Sequence, residues 1–224
     1  MRHRAPHLVG PLLALVAVVS VLACGVGPGN TYTGDGTFYN GGSGGNCSYA
    51  PEPDSMYAAM NAVDYENAHL CGAFVRATGP KGTVTVRIVD QCPECVHGDI
   101  DFSPEAFALI AEPAAGRVPI SWQIVSGGAI GNVQYVVKDG ANQWWFAIQP
   151  RNHRNVVNRL EVLIGGTWTD APRTSYNYFI IESGAGPGPF TVRLTDIYGE
   201  VLVTSGIQLA PGVVQPSTSQ FAAH

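Results

Sequence analysis

Gly79-Pro80-Lys81-Gly82 runs into Thr83-Val84-Thr85-Val86-Arg87-Ile88-Val89-Asp90. Glycine and proline make the first four residues a turn. Val84, Val86 and Ile88 then alternate with Thr83, Thr85 and Arg87 in a period of two, the pattern of a half-buried strand. On the near side, Ala73 to Thr78 is a second strand candidate, and the pair predicts a β-hairpin. On the far side, Asp99-Ile100-Asp101-Phe102 is extended and Ser103-Pro104-Glu105 opens a helix, with Ser103 as N-cap and Pro104 at the first helical position. Phe107, Ile110 and Ala111 give that helix one apolar side. Further strands are expected at Thr31 to Tyr39 and at Pro119 to Val125, and a short helix or turn at Met56 to Val63.

The second half changes character. Apolar and polar residues alternate in Val133 to Val137, Trp144 to Gln149, Arg159 to Ile164, Phe190 to Leu194 and Val201 to Ser205, and glycine-bearing turns separate them. Short strands at this spacing, with no long helical pattern after Arg117, predict a β-sandwich. Ser126-Gly127-Gly128-Ala129 is expected to be a short linker, dividing the chain into residues 25–128 and 129–224. Composition agrees: 27 glycines and 16 prolines suit strands and tight turns, and 13% charged residues exclude a coiled coil or a charge-rich disordered chain.

Residues 1–24 read as a secretory signal, with Arg2 and Arg4 before an apolar run from Leu8 to Ala23 that is short for a membrane span. Val21-Leu22-Ala23-Cys24 resembles a bacterial lipobox with Cys24 as the lipidated residue, and ordinary cleavage nearby is the alternative. Either way the protein is expected outside the cytoplasm, reaching a membrane only through a lipid. Between residues 25 and 128 there are four basic and eleven acidic residues, and beyond them six of each. Without clustered lysine and arginine, nucleic acid is a poor partner. A neutral polymer suits this charge better than an anionic one.

Export makes disulfides the default for Cys47, Cys71, Cys92 and Cys95. Three pairings are open. Cys47–Cys71 with Cys92–Cys95 is favoured over the other two. Zinc is the competing reading, but His69 and His97 stand at unfamiliar ligand spacings. No βαβ pattern surrounds Cys92-Pro93-Glu94-Cys95, which weakens a thioredoxin-type role.

Two groups of residues bear chemistry. Asp99 and Asp101 flank Ile100 in an extended segment and share a face, while Ile100 and Phe102 share the other. The helix entrance at Ser103 favours ionised Asp101, whereas burial against Phe102 raises its pKa, as a general acid needs. The plain alternative makes Asp90 and Asp99 turn carboxylates and Asp101 a helix-entry carboxylate. The second group is Trp144-Trp145 with Tyr176 and Tyr178, flat rings of the kind on which sugars stack. Neighbours in a regular strand face opposite ways, so both indoles share one surface only with a strong twist or a bulge. Trp122 and Trp168 are expected to be packing residues.

These motifs together resemble the bacterial expansins. The first-domain signature is Thr31-Tyr32-Thr33-Gly34, Gly79 to Asp90, Pro93-Glu94 and Asp99 to Pro104. The second-domain signature is Lys138-Asp139-Gly140, Trp144-Trp145, Gln149, Arg151-Asn152-His153, Tyr176-Asn177 and Leu194-Thr195-Asp196-Ile197. The resemblance implies a six-stranded double-psi β-barrel followed by an immunoglobulin-like β-sandwich. It implies a monomeric wall-loosening protein, without cofactor or metal, that binds cellulose and related glucans without hydrolysis; xyloglucan and peptidoglycan are further candidate polymers. By position, Asp101 matches the activity-critical acid, Thr31, Thr33 and Asp90 match polar groove residues, Trp144, Trp145 and Tyr176 match the aromatic platform, and Lys138 a basic residue beside it. Tyr178 has no platform counterpart.

Three departures bear on function. Cys92 stands where some relatives carry an aromatic groove residue. The acidic mature chain disfavours anionic wall polymers. Asp35 follows Gly34, near where the related glycosidases of family 45 place their base. An inverting glycosidase needs acid and base roughly 6.5–9.5 Å apart with room for water. Asp35, in a glycine-flanked segment, is expected to be poorly organised as a base, and Asp90 to be a groove hydrogen-bonding residue, so no hydrolysis is expected. The rivals are a family 45 endoglucanase, a lytic transglycosylase resembling rare lipoprotein A, and a binding module with an inert first domain.

Overall fold

A computed structural model describes residues 26–41, 44–50, 55–128 and 130–224. The expected signal at 1–24, the lipidation of Cys24 and Ala129 of the linker lie outside the described residues. Among the described residues no helix is long and apolar enough to cross a membrane.

Six strands close a barrel: β1 (Tyr32–Phe38), β2 (Tyr57–Asn61), β3 (Phe74–Thr78), β4 (Thr83–Cys92), β5 (Ile100–Phe102) and β6 (Val118–Val125), in the order β1-β5-β2-β4-β3-β6. The hairpin β3–β4 is antiparallel, whereas β1–β5 and β2–β4 are parallel, which interleaves the two halves of the barrel. The inward set of β4 is Val84, Val86 and Ile88, all buried against Met60, Val75, Ile100, Phe102 and Phe107. Helix α1 (Ala62–Tyr65) follows β2, and α2 (Pro104–Ile110) follows β5. Ser103 caps α2 through its Oγ, which accepts the Ala106 N–H at 3.2 Å.

Where β1 passes the loop before β5, backbone meets backbone. A Cβ on Gly34 would lie 2.3 Å from the Gly98 carbonyl, and one on Gly98 would lie 2.1 Å from the Thr33 oxygen. Trp122 seals the crossing, stacking on Tyr32 and donating its indole N–H to the Gly98 carbonyl at 2.8 Å.

The second half is a β-sandwich of two four-stranded sheets. One contains β9 (Val157–Ile164), β10 (Thr167–Asp170), β12 (Phe190–Asp196) and β13 (Val201–Ile207) in the order β10-β9-β12-β13. The other contains β7 (Gln134–Val137), β8 (Phe146–Arg151), β11 (Phe179–Ile181) and β14 (Val214–Pro216) in the order β11-β8-β7-β14. Tyr135, Phe146, Ile148, Leu160, Phe179, Phe190 and Leu194 fill the space between them.

Three expectations change. Met56 to Val63 is chiefly the strand β2, because Ala58, Ala59 and Met60 are all enclosed between β4 and β5. Trp144 and Trp145 precede β8 in a tight turn rather than occupying a strand. Trp168 is no core residue: it is half-buried on the outside of its sheet, with the Arg193 guanidinium 4.5 Å over its ring.

Candidate functional site

Asp101 sits in the short strand β5, whose neighbours Ile100 and Phe102 point into the barrel core and leave its carboxylate on the outer face. The parallel register places Thr37 opposite it, and the Thr37 hydroxyl donates to Asp101 Oδ1 at 2.6 Å. Burial pushes the Asp101 carboxyl above the ordinary carboxylate range; the Thr37 hydrogen bond and the Arg117 charge oppose that, and Glu94 adds to it. Desolvation is the largest of these effects.

A carboxylate pair lies further along, Asp35 in β1 and Asp99 just before β5. Asp99 accepts the Asp35 N–H at 2.8 Å, and Arg117 bridges Asp35 at 3.2 Å and Asp99 at 3.4 Å. Asp35 is therefore well ordered, contrary to the expectation for a glycine-flanked segment. It belongs to regular β1, two residues before Thr37.

Thr31 and Thr33 do not reach Asp101. Thr31 accepts from Gln123 Nε2 at 2.6 Å, and Thr33 pairs with Ser121. Thr33 lies four strand residues from Thr37, about 13 Å at 3.3 Å per residue. Asp90 is committed to the chain around it. Its Oδ1 accepts the N–H groups of Asn46 at 2.6 Å and Gln91 at 2.8 Å, and Gly45 packs so close that a Cβ there would meet the carboxylate. Tyr39, expected only as the end of a strand, lies near both Asp90 and Asp101. Its hydroxyl is buried without a hydrogen-bond partner among the described residues, and burial with Asp90, Tyr57 and Asp101 nearby pushes it upward.

The four cysteines form two disulfides, Cys47–Cys71 and Cys92–Cys95. Neither pair is then free as a zinc ligand. The latter carries Glu94 on the rim near Asp101. One other set of donor groups comes together among the described residues: Asp196, Glu200 and His224, within 4.8 Å of one another. Its carboxylates are already occupied. Asp196 accepts from Tyr198 N, Glu200 N and Asn155 Nδ2, and Glu200 from Ala222 N.

The aromatic surface is built on a side-chain turn. Asn142 Oδ1 accepts the N–H groups of Trp144 at 2.9 Å and Trp145 at 3.2 Å, and the Asn142 N–H closes on the Trp145 carbonyl at 2.8 Å. Asparagine makes such a turn with its own amide oxygen, and no bulge or twisted strand is needed. Trp144 is 72% exposed, while Trp145 packs partly against the sandwich core. Tyr176 is half-buried, 6.1 Å from the ring of buried Tyr178, and the Lys138 amine lies 5.6 Å over Tyr178.

A seam joins groove and platform. Ser175, just before Tyr176, offers its carbonyl to Asn46 Nδ2 at 3.1 Å and the Tyr65 hydroxyl at 3.0 Å. The Cys47 carbonyl accepts from Gln149 at 2.9 Å and Asn177 at 3.2 Å. Asn46 is thus held by Asp90 on one side and the platform segment on the other.

Known proteins share this arrangement. Residues 31–122 match the lytic transglycolase family model. The chain is 37% identical over 177 residues to Expansin-YoaJ of Bacillus subtilis, spanning 77% of this chain and 74% of that protein. It is 30% identical over 222 residues to expansin-like protein 2 of Dictyostelium discoideum, spanning 91% and 54%. The crystal structure of apo Clavibacter michiganensis expansin superposes with a TM-score of 0.82 at 39% identity, covering 87% of this chain and all of that one (100%). An aspartate-to-asparagine mutant of that expansin, in complex with cellohexaose, gives the same TM-score of 0.82 at 38% identity. A double-psi barrel joined to a β-sandwich, with this extent of identity across both, has one reading: the chain belongs to the expansin family.

Proposed function

We propose that the protein is an exported, non-hydrolytic wall-loosening protein that acts on cellulose and related neutral glucans. The observation that carries the reading is Trp144, 72% exposed at the tip of a turn held by Asn142. Sugar rings stack on such a face, and the apolar area removed from water is worth about 25 cal/mol per Å². The cellohexaose complex of the Clavibacter relative supports a glucan of this type. Asp101, held by Thr37, would exchange hydrogen bonds with chains leaving the wall polymer, and no covalent step is required.

By strand geometry the Cα atoms of Asp35 and Asp101 lie about 8 Å apart on the two paired strands, so the pair is the one to test against the acid and base of an inverting glycosidase. Arg117 argues against that role, because it occupies Asp35 and Asp99 together. The test combines three measurements on the purified protein: sedimentation with cellulose, extension of isolated walls under load, and release of reducing sugar. Binding and extension without sugar release are expected. Sugar release that disappears in Asp35→Ala would replace this reading with a family 45 type endoglucanase. The family match over residues 31–122 favours a second reading, a lytic transglycosylase acting through Asp101 alone. Anhydro-muropeptides released from peptidoglycan would establish it.

A further inference from the structure

The joint between barrel and sandwich contains a cation with no ion-pair partner among the described residues. Arg173 precedes the platform segment, and its Nη1 donates to two barrel carbonyls, Ala68 at 2.7 Å and His69 at 3.0 Å. Its Nη2 donates to the Val157 carbonyl of the sandwich, and the guanidinium lies 4.6 Å over the Phe179 ring. Among the described residues no carboxylate pairs with it. In return, Asn67 Nδ2 donates to the Arg173 carbonyl at 3.2 Å.

The barrel side of this contact is shaped for it. Glu66, Asn67 and Ala68 all have positive φ, at 44°, 55° and 67°, three consecutive left-handed residues of which none is glycine. L-residues adopt that region singly and at a cost, so a run of three persists only where surrounding contacts fix it. The turn directs the Ala68 and His69 carbonyls across the joint at Arg173. A planar guanidinium, whose several donors keep a fixed geometry, can bind both carbonyls and still reach Val157; an ammonium is a point donor.

We propose that Arg173 is a positioning residue: it locks the barrel to the sandwich so that the Asp101 groove and the Trp144 platform work on one polymer surface as a single rigid body. Two residues later Ser175 takes Asn46 and Tyr65, so the orientation Arg173 sets is passed directly to Tyr176. Loosening then needs the joint, whereas binding needs only the platform. The loosening part of this inference rests on the function proposed above; the locking part does not.

The experiment compares wild type, Arg173→Gln and Arg173→Lys by small-angle scattering, cellulose sedimentation and wall extension. Arg173→Gln is expected to increase the radius of gyration, keep sedimentation near wild type and reduce extension by about tenfold. Arg173→Lys should recover part of both the compactness and the extension. A compact Arg173→Gln protein that extends walls like wild type overturns the proposal. So does an equal loss of sedimentation and extension that Arg173→Lys fails to relieve, which marks a merely structural residue. If Arg173→Gln does not fold, the double variant Asn67→Ala with Tyr65→Phe removes the reciprocal contacts, and the same outcomes decide. Wild type that extends no walls, with the scattering change still present in the variant, sinks the proposed function and leaves the lock standing.

Discussion

Asp101 couples the groove to pH, and the sign follows from its raised pKa. Its unfolded value is about 3.9, and the folded protein holds the proton to higher pH. Between those values the native state binds more protons than the unfolded chain, so stability falls as pH rises through the window. Asp101→Asn removes that loss while its side-chain oxygen still accepts from Thr37. The variant should therefore melt slightly above wild type at neutral pH, with the difference vanishing below the unfolded pKa, in thermal scans across pH. Wall extension by Asp101→Asn should fall at least about tenfold, the scale of one charged hydrogen bond, while sedimentation with cellulose is unchanged. The indoles separate differently. Trp144→Ala should weaken sedimentation by about tenfold or more from lost stacking area without changing thermal stability. Trp145→Ala should do both, because Trp145 also packs on the sandwich core. Asp101 was legible in the sequence, since apolar neighbours on either side of an extended segment turn it outward. Thr37 was not. It meets Asp101 across 64 residues through a parallel pairing, and local periodicity carries no information about such a register.

At the scale of elements, the turn that presents Trp144 depends on a glycine forty residues away. Gly184 has φ +78°, and a Cβ there would lie 2.2 Å from the Gln143 carbonyl oxygen and 2.5 Å from Trp144 Cα. Both are backbone atoms and cannot swing aside. Gly184→Ala should cost about 1–3 kcal/mol through strain at a left-handed position, and should weaken cellulose sedimentation although residue 184 carries no side chain to the platform. Chemical denaturation and sedimentation together check it; loss of stability with full binding would show that the turn tolerates the shift. The two disulfides should also behave unequally. Cys47–Cys71 closes a long loop, with a sequence separation of 24, and replacing both cysteines by serine should cost on the order of 3 kcal/mol. Cys92–Cys95, with a separation of 3, constrains little chain, and its double serine variant should denature near wild type. The strand β4 and the helix α2 were readable because alternation and capping are local signals. β2 was not: Tyr57 to Asn61 is buried on both faces, so it shows no alternation, and only closure of the barrel makes it a strand. The Trp144 turn was missed for a related reason, because the asparagine that builds it reads equally well as the start of the following strand.

For the molecule as a whole, the joint between the two domains also contains a strongly displaced histidine. His153 is 2% exposed, and burial, aided by the Arg87 and Arg173 charges, pushes its pKa down to about 3. Its Nδ1 lies 2.8 Å from the Asn155 carbonyl and so carries the proton, which leaves Nε2 as the acceptor facing the Tyr49 hydroxyl of the barrel at 3.5 Å. Gly72 closes over the pair; a Cβ there would lie 2.5 Å from the Tyr49 hydroxyl and 2.6 Å from Nε2. Burial and the two nearby guanidinium charges disfavour a protonated ring there. In the unfolded chain the same ring titrates near 6.5. Between about 6.5 and 3 the unfolded state therefore binds the extra proton, so the stability that neutral His153 contributes is complete above that window and drains as pH falls through it. The slope from this one group is at most about 1.4 kcal/mol per pH unit. It acts against Asp101, whose raised pKa favours the folded state as pH falls, but Asp101 remains partly open to solvent and its share is screened. His153→Gln, which keeps an amide donor for the Asn155 carbonyl and an acceptor for Tyr49, should flatten the acid side of the stability profile below about pH 6. Denaturant titrations at several pH values measure this directly. Parallel acid limbs in the variant and wild type would mean that His153 leaves the joint before the chain unfolds, and would place the first acid-induced opening at the contact between the two domains.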